Sequence, residues 1–103
     1  MSVTRKQPDE RRLEIIGHFV KLAIVDGYTN VTREQVATSA EISPALVTRY
    51  FNNSMDDLRD DVVRYCIKNE KLRIIAQALA TCDPLVLEIP QELKEKTVEI
   101  LLY

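Results

Sequence analysis

Apolar residues recur along this chain at three- and four-residue steps, the spacing of helices with one buried face. The first such pattern opens at Pro8-Asp9 and runs to Asp26. Leu13, Ile16, Val20 and Ala23 form its stripe, which Phe19 and Leu22 widen. Gly27 follows, where the left-handed conformation open to glycine closes a helix. Thr32 then caps a short second helix over 33–40. Gln35, three residues on, completes a capping box, and Val36, Ala37 and Ala40 face inward. After the tight connection Glu41-Ile42, Ser43 caps a third helix, predicted to run from Pro44 to Phe51 with proline in the first position. Ser54 caps a fourth, with Asp57 as its partner and Asp56 and Asp57 at the positive end of the dipole.

From Met55 to Thr81 there is neither glycine nor proline. Leu58, Val62, Tyr65, Asn69, Leu72, Ala76 and Leu79 step along as a helix seam on which Asn69 is the polar, register-setting member. One long helix fits, but Val63, Ile67, Ile74, Ile75 and Ala78 form a second apolar set that also needs cover. That favours a break near Lys68-Asn69-Glu70. Asp83-Pro84 ends the stretch. Leu85-Val86-Leu87-Glu88-Ile89, lying between prolines, reads as an extended crossing or a short edge strand. Pro90 opens a last helix with Leu93, Thr97, Ile100 and Leu101 on one side.

A chain of 103 residues holds one domain, and its 46% hydrophobic and 29% charged residues are those of an ordinary globule. No apolar run approaches a membrane span, and no apolar signal core follows the first six residues; a cytoplasmic protein is expected. Glycine occurs only at Gly17 and Gly27, which excludes glycine-rich phosphate loops. Cys66 and Cys82, on one helix, would stand about 24 Å apart, too far for a disulfide. With His18 as the sole histidine they also make a poor metal site, so both are expected as buried small side chains, and no metal or cofactor is expected. Residues 1–51 carry seven Lys/Arg against six Asp/Glu, and residues 52–103 seven against ten. Global charge therefore announces no nucleic-acid binder, and such a function would need a locally basic face. Arg5, Lys6, Arg11 and Arg12 supply one small basic cluster.

Residues 32–51 carry the most informative pattern. A helix-turn-helix unit needs a small residue where its helices cross, and Ala37 supplies it. Val36, Ala40, Ile42, Val47 and Tyr50 occupy the apolar positions around it. Glu41 stands in the turn where glycine is usual, at some cost in strain.

This arrangement resembles the DNA-binding domain of the TetR family of transcriptional repressors. Gly27-Tyr28 with Thr32 resembles that family's break between its first two helices. Val36-Ala37, Ile42-Ser43-Pro44-Ala45-Leu46-Val47, Tyr50-Phe51 and Leu58 follow its helix-turn-helix and fourth-helix opening, so the resemblance spans about residues 9–60. Three positions depart from it. Thr48 stands where the family usually has a phosphate-gripping tyrosine, Ser54 at or near a customary lysine, and His18 where alanine is preferred. His18 is expected as a packed, hydrogen-bonded side chain rather than a ligand. Family members run to about twice this length, the added part being a ligand-binding and dimerisation domain. Some 43 residues follow Asp60 here, too few to enclose a drug-sized cavity, so no small-molecule ligand is expected.

The expected protein is all-α: a TetR-like three-helix helix-turn-helix head over 1–60, followed by a short helical dimerisation region over 61–103 in the same compact domain. The third helix would enter the major groove of double-stranded DNA with Ser43, Pro44, Ala45, Thr48, Arg49 and Tyr50 as contacts, Ala45, Thr48 and Arg49 turning outward. Arg49 would read guanine O6 and N7, and Pro44 and Ala45 would pack on a thymine methyl. Thr32, Arg33 and the first turn of the second helix would hold phosphate, and Ser54 would donate to it. One head makes few contacts, so a homodimer on a palindromic site is expected. Val63, Ile67, Ile74, Leu85, Val86, Leu87, Ile89, Ile100 and Leu101 are its apolar surplus. No nucleophile–base pair or metal cluster points to an enzyme, since Asp56-Asp57 and Asp60-Asp61 read as a helix start and a solvated face. The competing readings are a helix-turn-helix module that binds the transcription machinery, and an architectural or segregation protein that coats DNA.

Overall fold

The first helix, α1 (Pro8–Asp26), buries Ile15, Ile16, Phe19 and Ala23. The computed structural model describes the backbone of residues 8–102 and the side chains of residues 8–99. Leu13, expected on the apolar stripe, is 57% exposed. At 100° per residue it lies about 100° round the helix from the centre of the buried face. Gly27, at φ 88°, donates its N–H to the Ala23 carbonyl at 2.8 Å and closes α1.

Four further helices follow: α2 (Arg33–Ala40), α3 (Pro44–Arg49), α4 (Met55–Lys68) and α5 (Leu72–Ala80). A 3-10 helix spans Pro84–Glu88, and α6 (Gln91–Leu102) ends the described chain. Every regular element among the described residues is thus helical. The break expected near Lys68-Asn69-Glu70 is present. Asn69 is no seam residue but the exposed C-cap of α4, where its Nδ2 donates to the Tyr65 carbonyl at 2.8 Å. The segment 85–89 is neither an extended crossing nor an edge strand. Asp83 accepts the Leu85 N–H at 2.9 Å and Pro84 holds the first position, which together start a tight helical turn. The third helix stops two residues short of Phe51, because Tyr50 leaves helical geometry and Asn52 and Asn53 both turn to positive φ.

Glu41, Glu70 and Cys82 close α2, α4 and α5 in left-handed conformations at φ 57°, 53° and 55°. Each is followed by a residue whose N–H reaches back into the last turn: Ile42 to Ala37, Lys71 to Cys66 and Asp83 to Ala78, at 2.8–3.0 Å. This is the Schellman closure, normally left to glycine.

One core joins α1 to α5. Phe19, Val36, Val47, Phe51, Leu58, Val62 and Ile74 meet in it, so it runs without interruption across residue 60. A smaller cluster of Ile75, Ile89 and Leu93 seats α6 on the far side of α5, where Thr97 is also buried and donates to the Leu93 carbonyl. Much of the apolar surplus expected at a dimer face is used inside the molecule. Val63, Ile74 and Ile89 are buried, Ile67, Leu85 and Val86 are half-buried, and Leu87 alone of those described is fully on the surface; the side chains of Ile100 and Leu101 lie outside the described set. Cys66 is buried as expected, but Cys82 is exposed because its left-handed backbone turns it away from the core.

Polar contacts tie the end of α1 to α5. Gln77 accepts the Tyr28 N–H at 2.7 Å and donates to the Ala23 carbonyl at 2.9 Å. The Tyr28 hydroxyl donates to Asp83 at 2.7 Å and lies 2.9 Å from the Thr81 hydroxyl. No helix among the described residues is long and apolar enough to cross a membrane.

Candidate nucleic-acid interface

Packing sets the angle of the α2–α3 unit. Val36 and Ala37 are buried on α2 and Val47 on α3, with Ala40, Ile42 and Tyr50 half-buried between them. Ala37, at the crossing, lets the two helices approach. Glu41 takes the αL turn (φ 57°, ψ 44°) that aims α3 outward. His18 braces α2 from α1, its Nδ1 lying 2.8 Å from Ser39 Oγ.

Three of the candidate hydroxyl residues are helix caps. Thr32 accepts the Gln35 N–H at 3.2 Å while Gln35 Oε1 accepts the Thr32 N–H at 2.9 Å, so the capping box is complete. Ser43 accepts the Leu46 N–H at 3.3 Å. Ser54 accepts the Asp57 N–H at 3.2 Å, but the Asp57 carboxylate turns to Asn52 Nδ2 at 2.9 Å, so the second half of that box is not formed. A capping Ser uses its oxygen as acceptor and keeps its O–H to donate.

Ser43, Pro44, Ala45 and Arg49 are exposed on α3, and Thr32 and Arg33 at the start of α2. Ala45 and Arg49 stand one turn apart on the same flank. Thr48 is a correction: it is 3% exposed and faces the core beside Val47, not the solvent. The inner side of α3 takes two consecutive residues, as does that of α1 at Ile15-Ile16 and of α4 at Val62-Val63. Tyr50, at the C-cap, is half-buried, and so is Ser54.

Charge around this face is mixed. Arg33 and Arg49 form no ion pair among the described residues, so both guanidinium groups are available; neither Glu41 nor Asp56 claims Arg49. Against them stand Glu34, Glu41 and Asp56, all exposed, and half-buried Asp57. Of the amino-terminal basic cluster, Arg5 and Lys6 lie outside the described residues, and Arg11 pairs with Glu14 at 3.4 Å. Arg12 reaches Asp61 at 2.8 Å with its guanidinium 5.3 Å over the Phe51 ring. It therefore holds α1, α4 and the end of α3 together.

Two features escaped the sequence reading. Arg59, on the first turns of α4, spans from Asp56 at 3.2 Å to the Val31 carbonyl at 3.4 Å, next to the α2 cap; its Nε is buried without a partner. Asn52 and Asn53, exposed and left-handed, form the tip that follows α3; an Asn-Asn pair before a serine cap was the available signal. Behind this tip a groove of about 360 Å³ is edged by Arg12, Asn52, Asp57, Asp60 and Arg64. Burial, offset in part by Arg64, raises the Asp60 carboxyl above its ordinary value. No group of three or more metal-ligating side chains occurs among the described residues.

Comparison with family models, with curated proteins and with solved structures returns no match for this chain.

Proposed function

We propose that this chain is a sequence-specific DNA-binding transcriptional regulator, a repressor that reads a palindromic operator as a homodimer without small-molecule induction. The observation that carries this reading is the outer flank of α3, where exposed Ala45 and unpaired Arg49 stand one turn apart behind the exposed cap Ser43-Pro44. In the major groove, Arg49 pairs with guanine O6 and N7, a contact worth about 1–3 kcal/mol of discrimination. Pro44 and Ala45 supply the apolar contact for a thymine methyl. Thr32, Arg33 and the free N–H groups at the start of α2 take phosphate, with the Ser43 and Ser54 hydroxyls as further donors. Buried Thr48 takes no part in this mechanism, and Tyr50 contributes at most its exposed edge. The TetR-like residues of 9–60 support the same reading.

A second reading rests on the carboxylates Glu34, Glu41, Asp56 and Asp57 around the same face. They suit a protein partner in the transcription machinery better than a polyphosphate. Anisotropy titration against a pool of DNA fragments at two salt concentrations, with Arg49→Ala alongside, separates the two. A DNA reader binds a subset of fragments, weakens steeply with salt and loses about 10-fold or more on the substitution. Absence of DNA binding at low salt by folded protein would overturn the regulator and favour the protein module. Equal binding to operator and random DNA would identify a coating protein instead.

A further inference from the structure

Charge runs against the helix dipoles at two places outside the α2–α3 unit. The positive end of α5 carries Lys71 and Arg73, with no acidic residue in its first turn and no side-chain cap. The last turn of α6 begins with Glu99 and contains no basic residue. Each charge has the sign that its helix end disfavours. None of the three forms an ion pair among the described residues.

The two places are complementary in apolar surface as well as charge. Lys71 and Arg73 edge a groove of about 220 Å³ whose apolar wall includes Val20, Ile24 and Leu72; Ile24 is 42% exposed, and Glu70, the carboxylate on the same rim, is taken by Lys96 of the same chain at 3.3 Å. On α6, Leu93 and Thr97 face inward. Toward solvent, Val98, 46% exposed, has half-buried Lys94 on one side and exposed Glu95 and Glu99 together on the other. An apolar knob beside a pair of carboxylates thus has a counterpart in an apolar slot beside two cations.

We propose that the groove between α1 and the start of α5 receives α6 of a second copy of this chain, with Val98 against Ile24 and Glu95 and Glu99 beside Lys71 and Arg73. A two-fold axis makes the contact twice, groove to helix and helix to groove, as an isologous dimer requires. This assignment rests on the homodimer of the proposed regulator and gives that dimer its interface.

The symmetry supplies a test that misfolding cannot imitate. Lys71→Glu with Arg73→Glu makes one protein whose groove and α6 are both negative. Glu95→Lys with Glu99→Lys makes another in which both are positive. Both variants replace exposed residues, and Lys71→Glu, Arg73→Glu and Glu99→Lys move charge in the direction the helix dipoles favour, so the fold is retained; a thermal melt checks it. Sedimentation equilibrium without DNA is expected to show wild-type dimers, each variant alone weakened about 10-fold or more, and an equimolar mixture restored to within about 3-fold of wild type. Val98→Asp is expected to dissociate the dimer. A wild-type monomer at about 100 µM, or dimers indifferent to both charge reversals, would overturn the interface. Because no DNA is present, the same outcomes leave DNA reading to be judged by the titration alone.

Discussion

Val36, Ala37, Val47 and Phe51 of the α2–α3 unit are sunk in the larger core, while residues 84–102 are seated by Ile89, Leu93 and Thr97 on the far side of α5. The first region is held by five helices packing together. The second rests mainly on α5 through three buried residues, with Ile67 of α4 beside them and Leu85 and Val86 of the 3-10 helix touching the larger core. A unit that reads DNA, as proposed for α2–α3, must keep its side chains in register, and the larger core supplies that rigidity. The carboxy-terminal region needs only to stay attached, and its looser seat leaves one side of α6 exposed for another surface. Local stability therefore ought to differ between the two along a single chain.

Large-to-small substitutions put this contrast at greatest risk. Phe51→Ala removes a side chain buried in the larger core and also the ring beneath Arg12. It is expected to lower global stability by about 3–5 kcal/mol in a urea titration. Leu93→Ala is expected to cost about 2 kcal/mol, the low end for a buried leucine. Its main effect in hydrogen exchange is faster exchange over residues 84–102, with α1 to α4 little changed. Uniform loss of protection in both variants would mean that the chain opens as one unit and the contrast fails.

The two cysteines sharpen the comparison through pH. Cys82 is exposed at the joint before the 3-10 helix, whereas Cys66 is wholly buried, and burial pushes its thiol from 9.0 up to about 12. A thiol whose pKa is higher folded than unfolded lends stability that is complete below pH 9 and is lost as pH rises toward 12. At pH 10 the loss attributable to Cys66 is about 1.4 kcal/mol. Cys66→Ala is expected to cost about 1 kcal/mol at pH 7 and to flatten the decline between pH 9 and 10 relative to wild type. Cys82→Ala leaves the wild-type decline unchanged. Parallel curves for wild type and Cys66→Ala would place the alkaline sensitivity elsewhere. The raised Tyr28 hydroxyl, whose shift comes mainly from burial, would be the next suspect above pH 10.

Much of the head was legible because its signals are local. The capping pair Thr32–Gln35, Pro44 at its helix start and Gly27 at a helix end each act within four residues and appear as read, and Ser54 caps α4 through the Asp57 N–H although the Asp57 carboxylate turns to Asn52 instead of completing the box. What the periodicity could not show was anything decided by a distant element. Thr48 is buried with Val47 because the core meets α3 over two consecutive positions, as it meets α1 at Ile15-Ile16, and a polar residue does not announce the second of them. Asn69 looks like a seam residue until Glu70 breaks the helix behind it. Residues 85–89 have the composition of a strand, but no neighbouring strand exists among the described residues to pair with, and Asp83 starts a helical turn instead. The pairing of Arg12 with Asp61 joins residues 49 positions apart, so the basic cluster looked freer in the sequence than its described members are. Arg33 and Arg49 form no ion pair among the described residues and are exposed, as the sequence reading expected of Arg49.

The smallest effect probes the joints themselves. Glu41 and Cys82 hold nearly the same left-handed conformation, one inside the head and one between α5 and the 3-10 helix. A non-glycine residue pays roughly 1–2 kcal/mol there, and glycine recovers this less about 0.5–1 kcal/mol of extra freedom in the unfolded chain. Glu41→Gly is therefore expected to stabilise by about 0.5–1 kcal/mol, visible as a higher urea midpoint with an unchanged slope. Cys82→Gly relieves the same strain, but at a joint that opens before the larger core does. Its gain is expected chiefly as slower exchange over residues 84–102, with a smaller rise in the midpoint. If the two substitutions raise the midpoint equally, the carboxy-terminal joint unfolds with the core, and the exposed side of α6 is as rigidly held as α3. If Glu41→Gly destabilises, the head needs the glutamate itself, through a contact of its side chain that outweighs about 1 kcal/mol of backbone strain.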